Sequence, residues 1–165
     1  MCAASPYRVP AMQLSEFLDF EAIKTGLPGG SKRSLLQQLA TLAAQRLDLD
    51  PAPILASLVE RERLGSTGFG QGVAIPHGKV EGLNRIYCLF ARLPEPVDYK
   101  AIDGGRVDLV FLLLSPPDAG AEHLKALAAI SRVIRHGMTL EKMRGARSRD
   151  ALAAVLMGAD ERDAA

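Results

Sequence analysis

The stretch VDLVFLLL, residues 107–114, is apolar at every position except Asp108. A strand with one solvent-facing side alternates apolar and polar residues, whereas a strand buried on both faces reads as a continuous apolar run. We therefore predict that this segment is a central strand in a sheet covered on both sides. Residues 86–93 predict a second strand, and Asp103-Gly104-Gly105 marks a tight turn between the two.

Amphipathic helices flank these strands in the sequence. Leucine and alanine recur at helical spacing after Ser31, a residue type that favours the N-cap position. Asp50-Pro51 is a second helix start, because aspartate caps a helix and proline suits its first position. We predict four helices, over residues 32–47, 51–64, 119–135 and 148–157. Helices on each side of a central sheet predict a single α/β sandwich.

The composition argues against several classes of function. The 165 residues carry a formal net charge of +1, which does not suit a broad basic face for nucleic acid or an anionic membrane. No apolar run approaches the ~18 residues that a membrane span needs, and the opening MCAASPYRVP lacks the apolar core of a signal peptide. We expect a cytoplasmic globular protein that binds no nucleic acid and has no membrane span.

The segment GSTGFGQGVAIPHG, residues 65–78, suggests a phosphate-binding loop, but its spacing fits none of the familiar forms. Its alternating glycines precede a strand predicted at 73–75, whereas a dinucleotide fingerprint follows a strand. A P-loop does not fit either, because one residue too many separates Gly72 from Gly78 and because Val80 replaces the required hydroxyl. The G-x-S-x-G elbow of hydrolases is also absent.

His77 is the candidate reactive residue of this segment. We predict that Pro76 ends the strand and that His77-Gly78 begins a turn, which leaves the imidazole exposed on a rigid base. A neutral imidazole is a competent nucleophile near pH 7. The other histidines, His123 and His136, have no metal-ligand spacing with it or with either cysteine, so we expect no metal.

Three segments resemble a known family: RERLGSTGFGQGVAIPHGK (61–79), DYKAIDGGRVDLVFLLLSP (98–116) and EHLKALAAISRVI (122–134). They are similar to the enzyme IIA proteins of the bacterial phosphotransferase system, in the mannitol/fructose/nitrogen-regulatory class, with the nitrogen-regulatory branch most similar. The resemblance implies a three-layer α/β/α sandwich with a central mixed sheet flanked by helices. It places a type 2 IIA domain at residues 12–158, between a flexible N-terminal arm at 1–11 and a flexible C-terminal tail at 159–165.

The same resemblance implies a chemistry. His77 matches the histidine that family members phosphorylate, His123 matches a second histidine near the phosphoryl group, and Arg61 matches an arginine that neutralises its charge. The implied donor is an HPr-like phosphocarrier protein, and no metal, nucleotide or other cofactor is required. We expect further phosphate contacts from backbone N–H groups near four residues: Gly65, Ser66, Thr67 and Gly78.

For a nitrogen-regulatory member, the resemblance implies that phosphorylation controls nitrogen and potassium metabolism through regulatory targets such as kinases or potassium transporters. Two alternatives stay open. The chain could serve as the IIA component of a fructose- or mannitol-type sugar permease, or it could be a non-catalytic binding module with the same fold. The sequence also leaves the oligomeric state open, including a weak homodimer.

Overall fold

The structure, a computed structural model, describes residues 11–163, with side chains described to residue 159. Five helices and five strands follow two short 3-10 turns at Leu14–Glu16 and Phe20–Ala22. The helices are α1 (Lys32–Leu47), α2 (Pro51–Arg63), α3 (Gly120–Ile134), α4 (Gly137–Gly145) and α5 (Arg149–Asp163). The strands are β1 (Gly68–Gly70), β2 (Val73–Ala74), β3 (His77–Lys79), β4 (Tyr87–Val97) and β5 (Val107–Ser115).

Strand β5 is the centre of a mixed sheet, as the apolar run at 107–114 predicts. It pairs antiparallel with β4 on one side and parallel with β2 and β3 on the other, while β1 pairs antiparallel with β2. Parallel neighbours need a crossover between them. Here the long segment that includes β4 returns the chain to β5.

Alternation along the strands divides the apolar side chains between two cores. On β5, Val110, Leu112 and Leu114 pack with α1 and α2, whereas Leu109, Phe111 and Leu113 pack with α3, α4 and α5. Strand β4 follows the same rule, with Leu89 in the first core and Cys88 in the second. The predicted three-layer α/β/α sandwich is confirmed.

The turn predicted at His77-Gly78 is wrong, because those residues form strand β3. Strands β2 and β3 keep one register with β5: Val73 pairs with Leu109 and His77 with Leu113, and both pairs differ by 36 residues (109 − 73 = 113 − 77). The carbonyl oxygen of Pro76 still accepts a hydrogen bond from the Leu113 N–H at 3.0 Å, which keeps the register. The N–H that proline lacks would also have faced β5, so one ladder bond is missing between β2 and β3.

Other predicted boundaries shift as well. Helix α4 was not predicted, and α3 spans Gly120–Ile134, without a side-chain cap, where 119–135 was predicted. Helix α5 continues to Asp163, so residues 159–163 are helical and do not belong to a tail. Ala159 is the reason, because it extends the buried stripe of Leu152 and Leu156 and is itself 2% exposed.

Most of the predicted N-terminal arm, residues 1–10, and the final residues 164–165 lie outside the described part of the chain. Within the described residues, no helix combines the length and the apolar character that crossing a bilayer requires.

A glycine at position 78 lets α2 pack closely on β3. A Cβ built there would overlap the Ser57 hydroxyl, which itself donates to the Lys79 carbonyl oxygen at 2.8 Å. We predict that Gly78→Ala lowers the free energy of unfolding by about 1–3 kcal/mol, because overpacking forces α2 away from the sheet. Urea unfolding measures the effect, and adding Ser57→Ala restores part of the loss.

Gly145→Ala is the matched control, since a Cβ at Gly145 meets nothing within 4 Å. A Gly78→Ala protein that unfolds at the same urea concentration as this control contradicts the close contact between α2 and β3.

Candidate functional site

The side chain of His77 lies on the α3 side of the sheet, at the first residue of β3 and opposite Leu113 near the carboxyl end of β5. It shares strand parity with Val73 and Ile75, which both belong to the core under α3. Its Nδ1 lies 2.7 Å from the Ile75 carbonyl oxygen, and its Nε2 lies 3.2 Å from Arg61 Nε. Because a carbonyl only accepts and a guanidinium only donates, Nδ1 carries the hydrogen and Nε2 the lone pair.

The imidazole of His77 is held in its neutral form. Burial is the largest effect and lowers the pKa of His77 below its usual range, and the positive charge of Arg61 lowers it further. The hydrogen bond to Ile75 and the negative charge of Glu62 act in the opposite direction. The result is an unprotonated ring nitrogen near neutral pH, which is the state a nucleophile requires.

His123 joins His77 from the first turn of α3. The two ring centroids are 5.4 Å apart, with the ring planes inclined by 50°. His123 Nδ1 lies 2.6 Å from the hydroxyl oxygen of Ser115, a fully buried residue at the end of β5. Burial first, and then the neighbouring His77 and Lys79, lower the pKa of His123 to about 4.

Arg61 reaches the site from the last turn of α2. Its Nε donates to His77, and its Nη1 donates to the Gly65 carbonyl oxygen at 2.9 Å. One cation therefore spans His77 and the loop that follows α2. The structure brings His77, His123 and Arg61 together, as the resemblance implies.

Two open clefts meet at His77 and Arg61. A cleft of about 510 Å³ extends past His123, Lys79 and Leu64. A second cleft of about 340 Å³ lies on the other side of the imidazole, and its walls include Phe69 and Ile102. The His77 ring is thus accessible although it is partly buried.

The predicted phosphate contacts from the backbone are only partly available. The Gly65 N–H donates to the Glu62 carbonyl oxygen at 3.1 Å, and the Thr67 N–H donates to the Glu62 carboxylate at 3.2 Å. The ladder alternation around β3 directs the Gly78 N–H toward β5, because the neighbouring bonds involve the Pro76 carbonyl and the Val80 N–H. Ser66 lines the second cleft, and its hydroxyl accepts from the Gly68 N–H at 3.1 Å.

Three contributors at this site had no sequence signal of their own. Glu62 resembles any acidic residue at a helix end, Ser115 resembles the polar end of a strand, and Lys79 resembles an exposed loop cation. The short connection from β5 to α3 places Ser115 beside His123, and the pairing of β3 with β5 brings His77 near them. Within the described residues, no group of three or more His, Cys, Asp or Glu side chains is arranged to hold a metal ion.

Comparison with known proteins identifies the family. A family model described as phosphoenolpyruvate-dependent sugar phosphotransferase system, EIIA 2, matches residues 16–158. The chain belongs to this family. A nitrogen regulatory protein of Bradyrhizobium diazoefficiens is 46% identical over 145 residues, which cover 88% of this chain and 95% of the relative.

Two further matches describe the breadth of this EIIA 2 family. The crystal structure of nitrogen regulatory protein IIA-Ntr from Neisseria meningitidis superimposes with a TM-score of 0.81 and 36% identity, over 87% of this chain and 98% of that one. A fructose-specific EIIA component of Haloferax volcanii is 34% identical over 87% of this chain and 94% of the relative. The resemblance to the nitrogen-regulatory branch is confirmed, and the chain is a phosphotransferase-system IIA component, a class that transfers phosphoryl groups between histidines.

The low pKa of His123 predicts a pH dependence of stability. The native state leaves this histidine neutral until the pH falls to about 4, whereas an unfolded histidine binds a proton near pH 6.5. Since the unfolded state binds more protons in that interval, the free energy of unfolding falls as the pH is lowered from about 6.5 through 4. Urea unfolding at several pH values measures this slope.

His123→Gln removes this contribution and should give a flatter dependence over the same interval. Parallel curves for the wild-type protein and the variant would contradict the depressed pKa, and a proton NMR titration of the His123 ring checks it directly.

Proposed function

We propose that this chain accepts a phosphoryl group on Nε2 of His77 from an HPr-like phosphocarrier protein in the cytoplasm. We further propose that its phosphorylation state regulates nitrogen and potassium metabolism. The observation that carries the proposal is the orientation of the His77 ring. Its Nδ1–H is fixed on the Ile75 carbonyl oxygen, which leaves the Nε2 lone pair at the junction of the two clefts.

The transfer exchanges one P–N bond for another. The Nε2 lone pair of His77 attacks phosphorus in line, the bond from phosphorus to the donor histidine breaks, and its electron pair returns to the donor ring. The Ile75 carbonyl stabilises the positive charge that develops on the His77 ring through the Nδ1–H bond. Positioning and charge compensation are the main contributions that a protein makes to such a reaction.

Arg61 and His123 compensate the charge of the phosphoryl oxygens in this mechanism. Arg61 Nε moves from the lone pair of His77 to the incoming oxygens, while Nη1 retains the Gly65 carbonyl as an anchor. The mechanism assigns His123 the Nε2–H tautomer, in which the Ser115 hydroxyl, 2.6 Å from Nδ1, donates to the ring and the Nε2–H is free to act as a second donor to the phosphoryl group. Each charge-assisted hydrogen bond contributes about 1.5–3 kcal/mol. With only these two donors the phosphoryl group is not bound so tightly that it could not be transferred onward.

An apolar rim around His77 supports a protein as the donor. Large apolar side chains that solvent reaches line the clefts: Leu64 (74% exposed) the first, and Phe69 and Ile102 (88% exposed) the second. A further exposed leucine, Leu124, directly follows His123 in α3. Exposed apolar side chains grouped around a reactive residue are typical of a docking surface, which a small-molecule phosphoryl donor does not need.

Regulation follows from the charge that the phosphoryl group adds. A phosphoryl group brings about −1.5 to −2 charges near pH 7, and here it would stand in the centre of the apolar rim. Regulatory targets such as kinases or potassium transporters would then bind one state and reject the other. Higher identity to the Bradyrhizobium nitrogen regulatory protein than to the Haloferax fructose component favours this role over service to a sugar permease.

Phosphorylation by a labelled HPr-like donor tests the reactive residue. We predict acid-labile, base-stable label on the wild-type protein and none on His77→Ala. His123→Ala should still accept label, about tenfold more slowly, because losing one contact of roughly 1.4 kcal/mol gives that factor. Phosphorus and nitrogen NMR should place the group on Nε2 and not on Nδ1.

His136→Ala is the control for the loss of a histidine, because His136 lies at the start of α4 and lines neither cleft at His77. Label that survives in His77→Ala, or that disappears in His136→Ala, contradicts the assignment.

Substitution of the rim tests the docking surface. Ile102→Asp places a charge where the donor should pack, so we predict that the donor concentration for half-maximal rate rises at least about tenfold while kcat changes little. Met138→Asp is the matched control, since Met138 is 69% exposed on α4 and borders neither cleft at His77. Equal effects of the two substitutions would show that the rim is not the docking surface.

A further inference from the structure

Glu62 is a buried carboxylate directly beneath the site. Its side chain is 7% exposed and forms an ion pair with Lys32 at 2.6 Å. Its oxygens also accept hydrogen bonds from three groups on two residues, Tyr99 and Thr67. Tyr99 OH donates at 2.9 Å, and the N–H and hydroxyl of Thr67 both donate to the same carboxylate. We call Lys32, Glu62, Thr67 and Tyr99 the Glu62 network.

A continuous series of hydrogen bonds connects this network to the His77 ring. Thr67 binds Glu62 through its N–H, and its carbonyl oxygen accepts from the Ile75 N–H at 3.0 Å. The Ile75 carbonyl oxygen in turn accepts from His77 Nδ1 at 2.7 Å. The Glu62 carboxylate thus fixes the backbone at Thr67, which fixes the backbone at Ile75, and the Ile75 carbonyl holds the His77 ring.

Glu62 also determines where the other partner of His77 lies. It is the next residue after Arg61 in the last turn of α2, and its contacts anchor that turn to α1 through Lys32. Arg61 Nε donates to His77 Nε2. Both nitrogens of the imidazole therefore meet groups whose positions depend on Glu62.

We propose that Glu62 is a positioning residue for phosphoryl transfer, which holds the His77 ring in the Nδ1–H tautomer with Nε2 aimed into the clefts. This role rests on the proposed function as far as the transfer rate is concerned, whereas the state of the ring is a property of the protein by itself.

The energetics of burial support a functional reason for this carboxylate. Removing a charge from water costs several kcal/mol even after relaxation, and replacing a buried ion pair with apolar residues of similar size is often neutral or stabilising. Four donor groups bind the Glu62 oxygens and offset the cost of burying the charge. Stability alone, however, does not require a charged residue at this position. An apolar residue could not accept these hydrogen bonds and so could not orient the His77 ring.

The charged and titratable groups near His77 come from three elements. Arg61 and Glu62 reach it from α2, His123 from α3, and Lys79 follows on β3 itself. Among these groups Glu62 is the acid, and its charge raises the pKa of His77 against the effect of Arg61. Loss of the charge and loss of the Ile75 hydrogen bond both lower this pKa, so a variant that affects either moves it in the same direction.

The experiment measures the His77 ring by nitrogen NMR in the unphosphorylated full-length chain. In the wild-type protein we expect the Nδ1–H tautomer to predominate. Glu62→Gln keeps the size but turns an amide N–H₂ toward donors, so we expect a larger share of the Nε2–H tautomer and a lower pKa of His77. Phosphorylation by the HPr-like donor should become slower by about tenfold or more, as small misplacements of a reactive group allow.

Asp19→Asn is the matched control, because Asp19 is a second carboxylate that a hydrogen-bonded network holds, away from His77. It accepts from Tyr87 OH at 2.7 Å and from Arg46 Nε at 2.9 Å, and its side chain is 15% exposed. We expect this variant to lose stability without any change in the tautomer or pKa of His77.

An unchanged His77 tautomer and pKa in Glu62→Gln would overturn the proposal and leave Glu62 a purely structural residue. Should Glu62→Gln not fold, Tyr99→Phe removes a single hydrogen bond to Glu62 and should shift the tautomer in the same direction by less; no shift there also overturns it. A wild-type protein that accepts no phosphoryl group, together with a shifted tautomer in Glu62→Gln, would refute the proposed function but retain the positioning role.

Discussion

Burial of β5 on both faces is the constraint on which the rest of the structure depends. A strand that is apolar on two sides needs helices above and below it, and the described chain supplies α1 and α2 on one face and α3, α4 and α5 on the other. The same strand positions the candidate site, because it pairs with β3 at His77 and ends at Ser115, the partner of His123. Strand β5 therefore contributes both to the stability of the fold and to the geometry of the candidate site.

Because side chains alternate along a strand, the consecutive residues His77 and Gly78 face opposite sides of the sheet. His77 projects toward α3 and meets His123, while Gly78 faces α2 and lets Ser57 approach closely. Arg61 reaches the site from the last turn of α2. The three residues of the candidate site therefore come from three elements that the sheet holds at fixed spacing, and no long loop is needed to assemble them.

Sequence patterns predict the parts of this protein whose physics is local. The leucine spacing after Ser31 and the Asp50-Pro51 start give α1 and α2 to within a residue or two, because periodicity and capping are properties of neighbouring residues. Helix α4 was not predicted because it is short, begins and ends with glycine, and buries only Thr139, Leu140 and Met143. A weak amphipathic pattern of that length does not stand out from a loop.

The site shows the same division between local and tertiary information. His77 was singled out by its own segment, whereas Arg61 and His123 were joined to it through a family resemblance, because no spacing rule connects residues so far apart in the chain. Proline was taken as a terminator of pairing, although the ladder with β5 uses only its carbonyl. Glu62 carried no signal, since its role depends on Thr67 and Tyr99 folding over it.

The unbroken register from Val73 to His77 restricts how the gene for such a protein can change. Insertion or deletion of one codon between these positions would rotate the imidazole to the α2 face, where close helix packing leaves no opening to a partner. Neighbouring side chains can compensate for a substitution in this segment, but they cannot restore the register after a change of length. Length variation among functional copies should therefore be confined to other segments, such as the exposed turn around Gly104.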